Sequence, residues 1–142
     1  LIYCNYQVKN VKEVLEMLKQ IYTDQAPEAI GPYSQAMLFN ELLFTSGQIP
    51  VNPESGEIER RDITIQAERV MKNVGAVLEE AGASFETVIK TTCFLSDMSD
   101  FAAFNEVYAK YFTGKPARSC VAVKALPKDV LCEVEVIAVV EK

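Results

Sequence analysis

An arginine stands at the start of an apolar, alternating stretch late in the chain. Arg118 follows Lys115-Pro116-Ala117 and precedes Ser119-Cys120-Val121. Its guanidinium is permanently charged and presents a planar fork of donors that matches a carboxylate. At the start of a strand such a side chain can lean into a cleft, so a small organic acid is the first ligand to consider. The commoner fate of a single arginine is a surface salt bridge, which stabilises little. Both interpretations stay open on this stretch alone.

Two acidic side chains interrupt the otherwise apolar stretch near the C-terminus. With a period of two, Glu133 and Glu135 share a strand face with Ile137, while Arg118 and Cys120 share a face of the preceding strand. If the two stretches form a hairpin, Arg118 and a glutamate look into the same space. They could form a cross-strand pair that satisfies buried charge. Alternatively, the arginine holds a substrate carboxylate beside a glutamate that handles a water.

The chain contains no histidine, and this narrows the chemistry. Ser-His-Asp and Cys-His catalysis and imidazole zinc sites are excluded. Cys120 could be a nucleophile, but it lacks the base that would usually activate it. Lys90 and Lys124 could form Schiff bases in principle, although nothing distinguishes them from surface lysines. We expect no metal site, and chemistry carried by Arg, Lys, carboxylates, Tyr, Ser or Cys.

The composition is that of one ordinary globular domain. The 142 residues are 49% hydrophobic and 24% charged, with a net charge of -6. This balance argues against nucleic-acid binding, because phosphate contacts need clustered Lys and Arg. No apolar run is long enough to span a membrane, and no secretory signal is evident. The four cysteines, Cys4, Cys93, Cys120 and Cys132, form no C-x-x-C pair, so we expect free thiols and a cytoplasmic protein.

The hydrophobic periodicity predicts an α+β architecture with a mixed sheet and two helices on one face. The predicted strands cover 18–23, 34–39, 42–46, 85–95, 118–125 and 131–140, and the predicted helices cover 62–82 and 100–112. Asp62 or Thr64 can cap the first helix, and Gly82 fits the position just past its end. In the second helix Tyr108 belongs to an apolar stripe that we expect to pack in the core, and in the fourth strand Ile89 shares a face with Thr91. The last strand is apolar on both faces, which indicates that the face without helices is also buried. We therefore expect self-association through the sheet, with closed symmetry.

The first residues differ in character from the rest. Met17 opens a stretch that reads like a natural protein start, and Lys12-Glu13-Val14 can be encoded by a purine-rich run of the kind that recruits bacterial ribosomes. We predict that residues 1–16 are translated upstream sequence or an alternative start, and that residues 17–142 form a single domain. The alternative is a genuine short helix, since Val11, Val14 and Leu15 have helical spacing.

Several motifs, in order and at compatible spacing, resemble the RidA/YjgF family, and the match runs from Met17 to the C-terminus. They are Ile30-Gly31-Pro32-Tyr33-Ser34-Gln35-Ala36, Ser46-Gly47-Gln48-Ile49-Pro50, Asp100-Phe101 through Asn105-Glu106-Val107-Tyr108, and Pro116-Ala117-Arg118-Ser119-Cys120-Val121 followed by Leu126-Pro127 and Glu133-Val134-Glu135. The resemblance implies a chorismate-mutase-like fold and a homotrimer with three clefts between subunits. It also implies a deaminase that hydrolyses enamines and imines.

The resemblance assigns roles to single residues. Arg118 matches the arginine that binds the substrate carboxylate, and Glu133 matches the glutamate that positions the attacking water. The residues that match the family's pocket are Tyr33, Ser46, Gly47, Asn105 and Cys120. The implied substrates are 2-iminopropanoate, 2-iminobutanoate and their enamine tautomers, released by pyridoxal-phosphate enzymes such as serine/threonine dehydratases. No metal or organic cofactor is implied.

Other functions stay open on the sequence alone. A regulatory module that binds a small carboxylate without turnover would use the same arginine, although it would not need Glu133. Some relatives carry ribonuclease or translation-inhibitor activity, against which the acidic composition and the missing histidine argue. A holdase-type chaperone role is a further possibility within the family. The connection from Asn105 to Arg118 is shorter than in some relatives, which bears on the shape of one pocket wall and hence on substrate size.

Overall fold

The computed structural model describes residues 10–140, which contain three α-helices and one six-stranded sheet. The helices are α1 (Val11–Glu16), α2 (Ile63–Ala81) and α3 (Phe101–Tyr111). The strands are β1 (Leu18–Ile21), β2 (Ala36–Phe39), β3 (Leu42–Thr45), β4 (Val88–Leu95), β5 (Ala117–Ala122) and β6 (Cys132–Val139). The predicted α+β class and mixed sheet are confirmed.

The sheet has the strand order β1-β2-β3-β6-β4-β5. Every neighbouring pair is antiparallel except β4 and β5, which run parallel because α3 carries the chain back between them. The predicted hairpin between β5 and β6 is therefore wrong. β5 lies at the edge, whereas β6 inserts between β3 and β4. The proximity of the two strands in sequence favoured their pairing, but β6 pairs with β3 on one side and with β4 on the other.

Helices α2 and α3 cover one face of the sheet, as predicted. The α2 side chains Ala67, Val70, Val74 and Val77 are fully buried, because their three- and four-residue spacing forms one apolar stripe. Asp62 caps the start of α2 by accepting a hydrogen bond from the amide of Ile65 at 3.1 Å. Gly82 ends it in the left-handed conformation, with φ of 78°. This packing fixes α3 beside β4 and β5.

The opposite face of the sheet carries no helix from the described residues. Phe44 on β3 and Val121 on β5 remain 44% and 45% exposed there. Ile137 and Phe94 lie on the same face and are partly buried. A sheet face of this composition is typical of an interface. Self-association through it stays a prediction.

The strand predicted over 85–95 is shorter than expected. Phe85–Thr87 forms a single helical turn, and the strand begins at Val88. A register shift between Val88 and Lys90 buries Val88 and leaves Ile89 49% exposed. The prediction that Ile89 shares the buried face of Thr91 is therefore wrong, because the irregularity interrupts the alternation.

The N-terminal stretch is helical where it is described. Helix α1 has no buried residue, and its end at Met17 passes directly into β1. The predicted boundary between residues 1–16 and 17–142 stays a prediction, and its first nine residues lie outside the described chain, as does Cys4. Within residues 10–140, no helix has both the length and the apolar character needed to cross a membrane.

Candidate functional site

The seven predicted site residues fall into two groups within one chain. We call Asn105, Arg118 and Cys120, with the aromatic side chains beside them, the arginine group. We call Tyr33, Ser46, Gly47 and Glu133 the glutamate group. The first group lies where α3 meets the edge strand β5, and the second lies around the ends of β3 and β6.

Three side chains of α3 hold the guanidinium of Arg118. Its Nη1 donates to Oδ1 of Asn105 at 2.7 Å. Its Cζ lies 4.6 Å from the ring centroid of Tyr108 and 5.6 Å from that of Phe101, within cation–π range. Arg118 is exposed, and in the described part of the chain it forms no ion pair. The surface salt bridge considered from the sequence is therefore not what holds it.

The spacing along α3 explains this arrangement. Phe101, Asn105 and Tyr108 are separated by four and three residues, so they line one side of the helix. The sequence interpretation placed Tyr108 in the core stripe, which is confirmed, since it is 8% exposed. Its contact with Arg118, and that of Phe101, were missed. The helical spacing of Phe101 and Tyr108 around Asn105 could have predicted these contacts. The expected hairpin instead directed attention to β6 as the neighbour of Arg118.

Cys120 lies next to Arg118 on the same strand face and pairs with Cys93 of β4. It is half-buried, and burial raises the pKa of its thiol, an effect that the nearby Arg118 charge partly opposes. Burial raises the pKa of Cys93 to about 12. Cys120 therefore stays protonated at neutral pH and lines the site as a small, weakly polar side chain. Cys93, Cys120 and Cys132 are free thiols.

An extra residue on the β3 side shapes the glutamate group. Phe44 pairs with Ile137, and Gln48 pairs with Val134, so three residues on the β3 side oppose two on β6. This bulge turns the backbone at Ser46-Gly47 out of the regular ladder. The Ser46 hydroxyl donates to the carbonyl of Ser34 at 2.6 Å. Because the Ser46 hydroxyl proton is donated to this carbonyl, the Ser46 oxygen can take part in a further hydrogen bond only as an acceptor.

Gly47 and Glu133 are in close contact. A Cβ at position 47 would collide with the carboxylate of Glu133, with the Glu133 Cδ only 2.7 Å away. Glycine at this position therefore leaves the Glu133 carboxylate in its place, whereas a larger residue would displace it. Burial raises the pKa of Glu133, and the negative charge of Glu135 raises it further. No side chain of the described residues pairs with this carboxylate, which suits a group that accepts a proton.

A cavity of about 290 Å³ lies beside Gly47. Tyr33 lines it together with Ile30, Ile49 and Lys128. The loop that carries Tyr33 is held by Gln35, a buried side chain that accepts from the amide of Thr23 at 2.7 Å and donates to the carbonyl of Pro27 at 2.9 Å. A more open groove of about 770 Å³ runs along α2, but it contains none of the predicted site residues.

The two groups lie on opposite faces of the sheet. Arg118 pairs with Thr91, which pairs with Val136 on the helix-covered face. Glu133 pairs with Phe94 on the other face. The expectation that Arg118 and a glutamate look into one space is therefore wrong for a single chain. It depended on a hairpin, and the intervention of β4 changes which residues are neighbours.

The arrangement offers a carboxylate receptor and a proton acceptor. An oriented arginine without an ionic partner suits a small organic anion, and a half-buried glutamate suits a water or another proton donor. Among residues 10–140 no three His, Cys, Asp or Glu side chains cluster as a metal site would require. Fold and site together define an α+β protein with an oriented arginine at one face of its sheet and a half-buried glutamate at the other.

Comparison with known proteins gives the family. Residues 23–140 match the Endoribonuclease L-PSP family, and the chain belongs to it. A RutC family protein of Pyrococcus abyssi is 55% identical over 119 residues, which are 83% of this chain and 94% of that protein. The resemblance to the RidA/YjgF family inferred from the motifs is confirmed.

Two solved structures are similar over nearly their whole length. One is a protein of unknown function of the conserved Rid family, YyfA from Yersinia pestis, with a TM-score of 0.85 and 49% identity. The other is TdcF from E. coli with bound serine, with a TM-score of 0.83 and 48% identity. Each covers 87% of this chain, and 99% of each neighbour is covered. The TdcF structure thus contains a bound small molecule.

Proposed function

We propose that this protein is a deaminase that hydrolyses 2-iminobutanoate, 2-iminopropanoate and their enamine tautomers to 2-oxo acids and ammonia. The observation that carries the proposal is the state of Arg118. Its guanidinium is exposed, is oriented by Asn105 and two aromatic rings, and has no ionic partner among the described residues. A small acid with one carboxylate would complete it.

The reaction follows from these groups. Arg118 binds the substrate carboxylate, a charge-assisted contact worth roughly 1.5–3 kcal/mol. Glu133 takes a proton from a water as the water oxygen forms a bond to C2 of the iminium. The protonated Glu133 then gives that proton to the nitrogen of the carbinolamine. As the C–N bond breaks and ammonia leaves, the Glu133 carboxylate takes the hydroxyl proton, which leaves the 2-oxo acid. Ammonia then takes this last proton from Glu133 and departs as ammonium. An enamine first gains a proton at C3. Because the iminium carbon is already electrophilic, this sequence of steps requires no cofactor.

Glu133 suits the base role for a physical reason. Its raised pKa makes it a stronger base than an ordinary glutamate. Gly47 leaves its carboxylate room beside the cavity that Tyr33 lines. Ser46 offers an acceptor oxygen, and Cys120 contributes a protonated wall beside Arg118. The family resemblance assigns Tyr33, Ser46, Gly47 and Cys120 to the pocket and the water-positioning role to Glu133. The other roles proposed here are supported by the hydrogen bond of Ser46, the space at Gly47 and the burial of Cys120.

We propose further that the protein is a homotrimer whose clefts combine the two groups. Within one chain Arg118 and Glu133 face opposite sides of the sheet, so a site that uses both needs two subunits. The partly exposed apolar face around Phe44 and Val121 supplies a surface for that association. Serine bound to TdcF, an amino acid with a carboxylate, is consistent with an acid ligand here.

A coupled assay tests the proposal. Threonine dehydratase generates 2-aminocrotonate, and 2-oxobutanoate formation is followed with the wild type, with Arg118→Ala and with Arg60→Ala. Arg60 is an exposed arginine outside both groups and serves as the matched control. We expect acceleration by the wild type and by Arg60→Ala, and roughly 10- to 100-fold less in kcat/KM for Arg118→Ala. Acceleration that survives Arg118→Ala would show that the assigned site is wrong.

Two other functions are distinguished by the same protein samples. A folded wild type that binds 2-oxobutanoate without accelerating its formation would be a carboxylate-binding regulator. The family's description as endoribonuclease makes RNA cleavage a second candidate, although a net charge of -6 opposes phosphate binding. Degradation of a single-stranded RNA by the wild type, retained in Arg118→Ala, would favour it.

A further inference from the structure

We propose that Tyr108 is a positioning residue: the face of its ring holds the Arg118 guanidinium in the orientation that receives a substrate carboxylate. The inference rests on the proposed function, because it deepens the role given there to Arg118. Tyr108 acts through Arg118 and does not itself touch the substrate.

Side chains of α3 support the guanidinium. Its Cζ lies 4.6 Å from the centroid of the Tyr108 ring and 5.6 Å from that of Phe101. One of its N–H groups donates to Asn105 at 2.7 Å. Its remaining donors have no partner among the described residues and are free to meet a carboxylate. Tyr108 is the closer of the two rings, so it provides most of the support.

The Tyr108 ring is itself held rigidly. Its hydroxyl shares a 2.8 Å hydrogen bond with Oγ1 of Thr91, a fully buried residue of β4. Its ring stacks on Phe112 with centroids 4.4 Å apart and planes 29° from parallel. Thr91 is the β4 residue that pairs with Arg118 of β5. The Tyr108 ring is therefore bonded to the β4 residue that pairs with Arg118, so β4 positions both the ring and the arginine backbone.

Rigid support changes what ligand binding requires. An arginine on the surface has many rotamers and loses that freedom when it grips a ligand. Here the freedom is lost on folding, so the ligand meets a side chain that is already oriented. Removing the ring should therefore weaken carboxylate binding more than it slows the chemical step. The expected signature is a higher KM with a nearly unchanged kcat.

Three variants separate the ring from the rest of α3. Tyr108→Leu removes the ring, Tyr108→Phe keeps the ring and loses only the Thr91 hydrogen bond, and Tyr111→Leu removes a ring elsewhere on the helix. Tyr111 donates to Glu68 at 2.6 Å, and its ring lies against Phe85, whereas the rings that face Arg118 are those of Phe101 and Tyr108. We expect Tyr108→Leu to raise KM, and the Kd for 2-oxobutanoate, by roughly 2- to 5-fold. Tyr111→Leu should stay near wild type. Tyr108→Phe keeps the ring face but loses the hydrogen bond that holds it, so it should raise KM and Kd less than Tyr108→Leu does. Equal effects of Tyr108→Leu and Tyr111→Leu would overturn the proposal.

A spectroscopic measurement tests the contact without turnover. Guanidinium protons above a ring face resonate upfield, so the Arg118 side-chain signals, assigned with Arg118→Gln, should shift downfield in Tyr108→Leu and stay in place in Tyr108→Phe. In the Arg118→Gln background, Tyr108→Leu should have no further effect on ligand affinity. If the wild type has the upfield Arg118 signals but shows no imine turnover, only the proposed function is contradicted. Unchanged shifts in a folded Tyr108→Leu would contradict the positioning role alone.

Discussion

The arginine group and the glutamate group present charge in opposite ways. Arg118 is exposed and is held by neutral side chains, whereas Glu133 is half-buried and has no partner among the described residues. A guanidinium keeps its charge in any surroundings, so its environment only has to orient it. A carboxylate can lose its charge, so burial sets its proton affinity. Orientation on one side and basicity on the other are the two requirements of a hydrolytic site for a small acid.

The positions of the groups add to this contrast. Each group is well formed by its own elements, yet the sheet separates them within one chain. The separation of the two groups can be tested at the base, at the association of the groups, and at the space beside the base.

Replacing the base should have the largest effect. We expect Glu133→Gln to lower kcat by about 10²-fold or more, the usual contribution of a positioned general base. The fold should not suffer. A raised carboxyl pKa stabilises the protein at low pH, and this contribution is lost as the pH rises through the folded-state pKa. At neutral pH the variant should melt at or above the wild-type temperature. Loss of activity together with a lower Tm would mean that Glu133 has a structural role.

Glu135→Gln is the matched control for that variant. Its charge raises the pKa of Glu133, so its removal should lower that pKa. Because the pKa of Glu133 is raised, we expect the wild-type acid limb of kcat/KM at a higher pH than an unperturbed glutamate would give. In Glu135→Gln this limb should move to lower pH while activity at neutral pH is retained. If the acid limb does not move in Glu135→Gln, the limb reports the pKa of a group other than Glu133.

Mixing two inactive variants tests whether the groups combine between chains. Arg118→Ala and Glu133→Gln, unfolded together and refolded at equal amounts, should regain about a quarter of the wild-type activity in random trimers, because one cleft in four would pair an intact arginine with an intact glutamate. Mixing without refolding is the control and should restore little. No recovery from a mixture shown to contain mixed trimers would place both groups in one subunit.

Crowding the base should have a smaller effect. The methyl group of Gly47→Ala would displace the Glu133 carboxylate. We expect roughly a 10-fold loss in kcat, since a misplaced catalytic group loses part of its effectiveness. Gly114→Ala adds the same methyl where the nearest atom is a backbone oxygen 3.8 Å away and should leave kcat unchanged. Wild-type activity in Gly47→Ala would show that the Glu133 carboxylate can move aside without loss of catalysis.

The sequence was informative where local rules decide the outcome. The α2 helix and its Gly82 end follow from periodicity and capping chemistry and were predicted, and of the two predicted caps, Asp62 and Thr64, the structure has Asp62. Arg118 and Glu133 stood out because charges in apolar strands need a reason. Tyr108 was recognised only as core, because a helical stripe does not reveal which side chain also reaches the neighbouring strand edge.

Local composition and spacing thus determined the class of fold, the elements and the family, because secondary structure and motifs are encoded over short stretches of chain. Tertiary structure alone decided that β6 lies between β3 and β4, that Gly47 leaves room for Glu133, and that Tyr108 supports Arg118. These are contacts between residues far apart in sequence, and strand order, which the alternation within single strands does not specify, sets them.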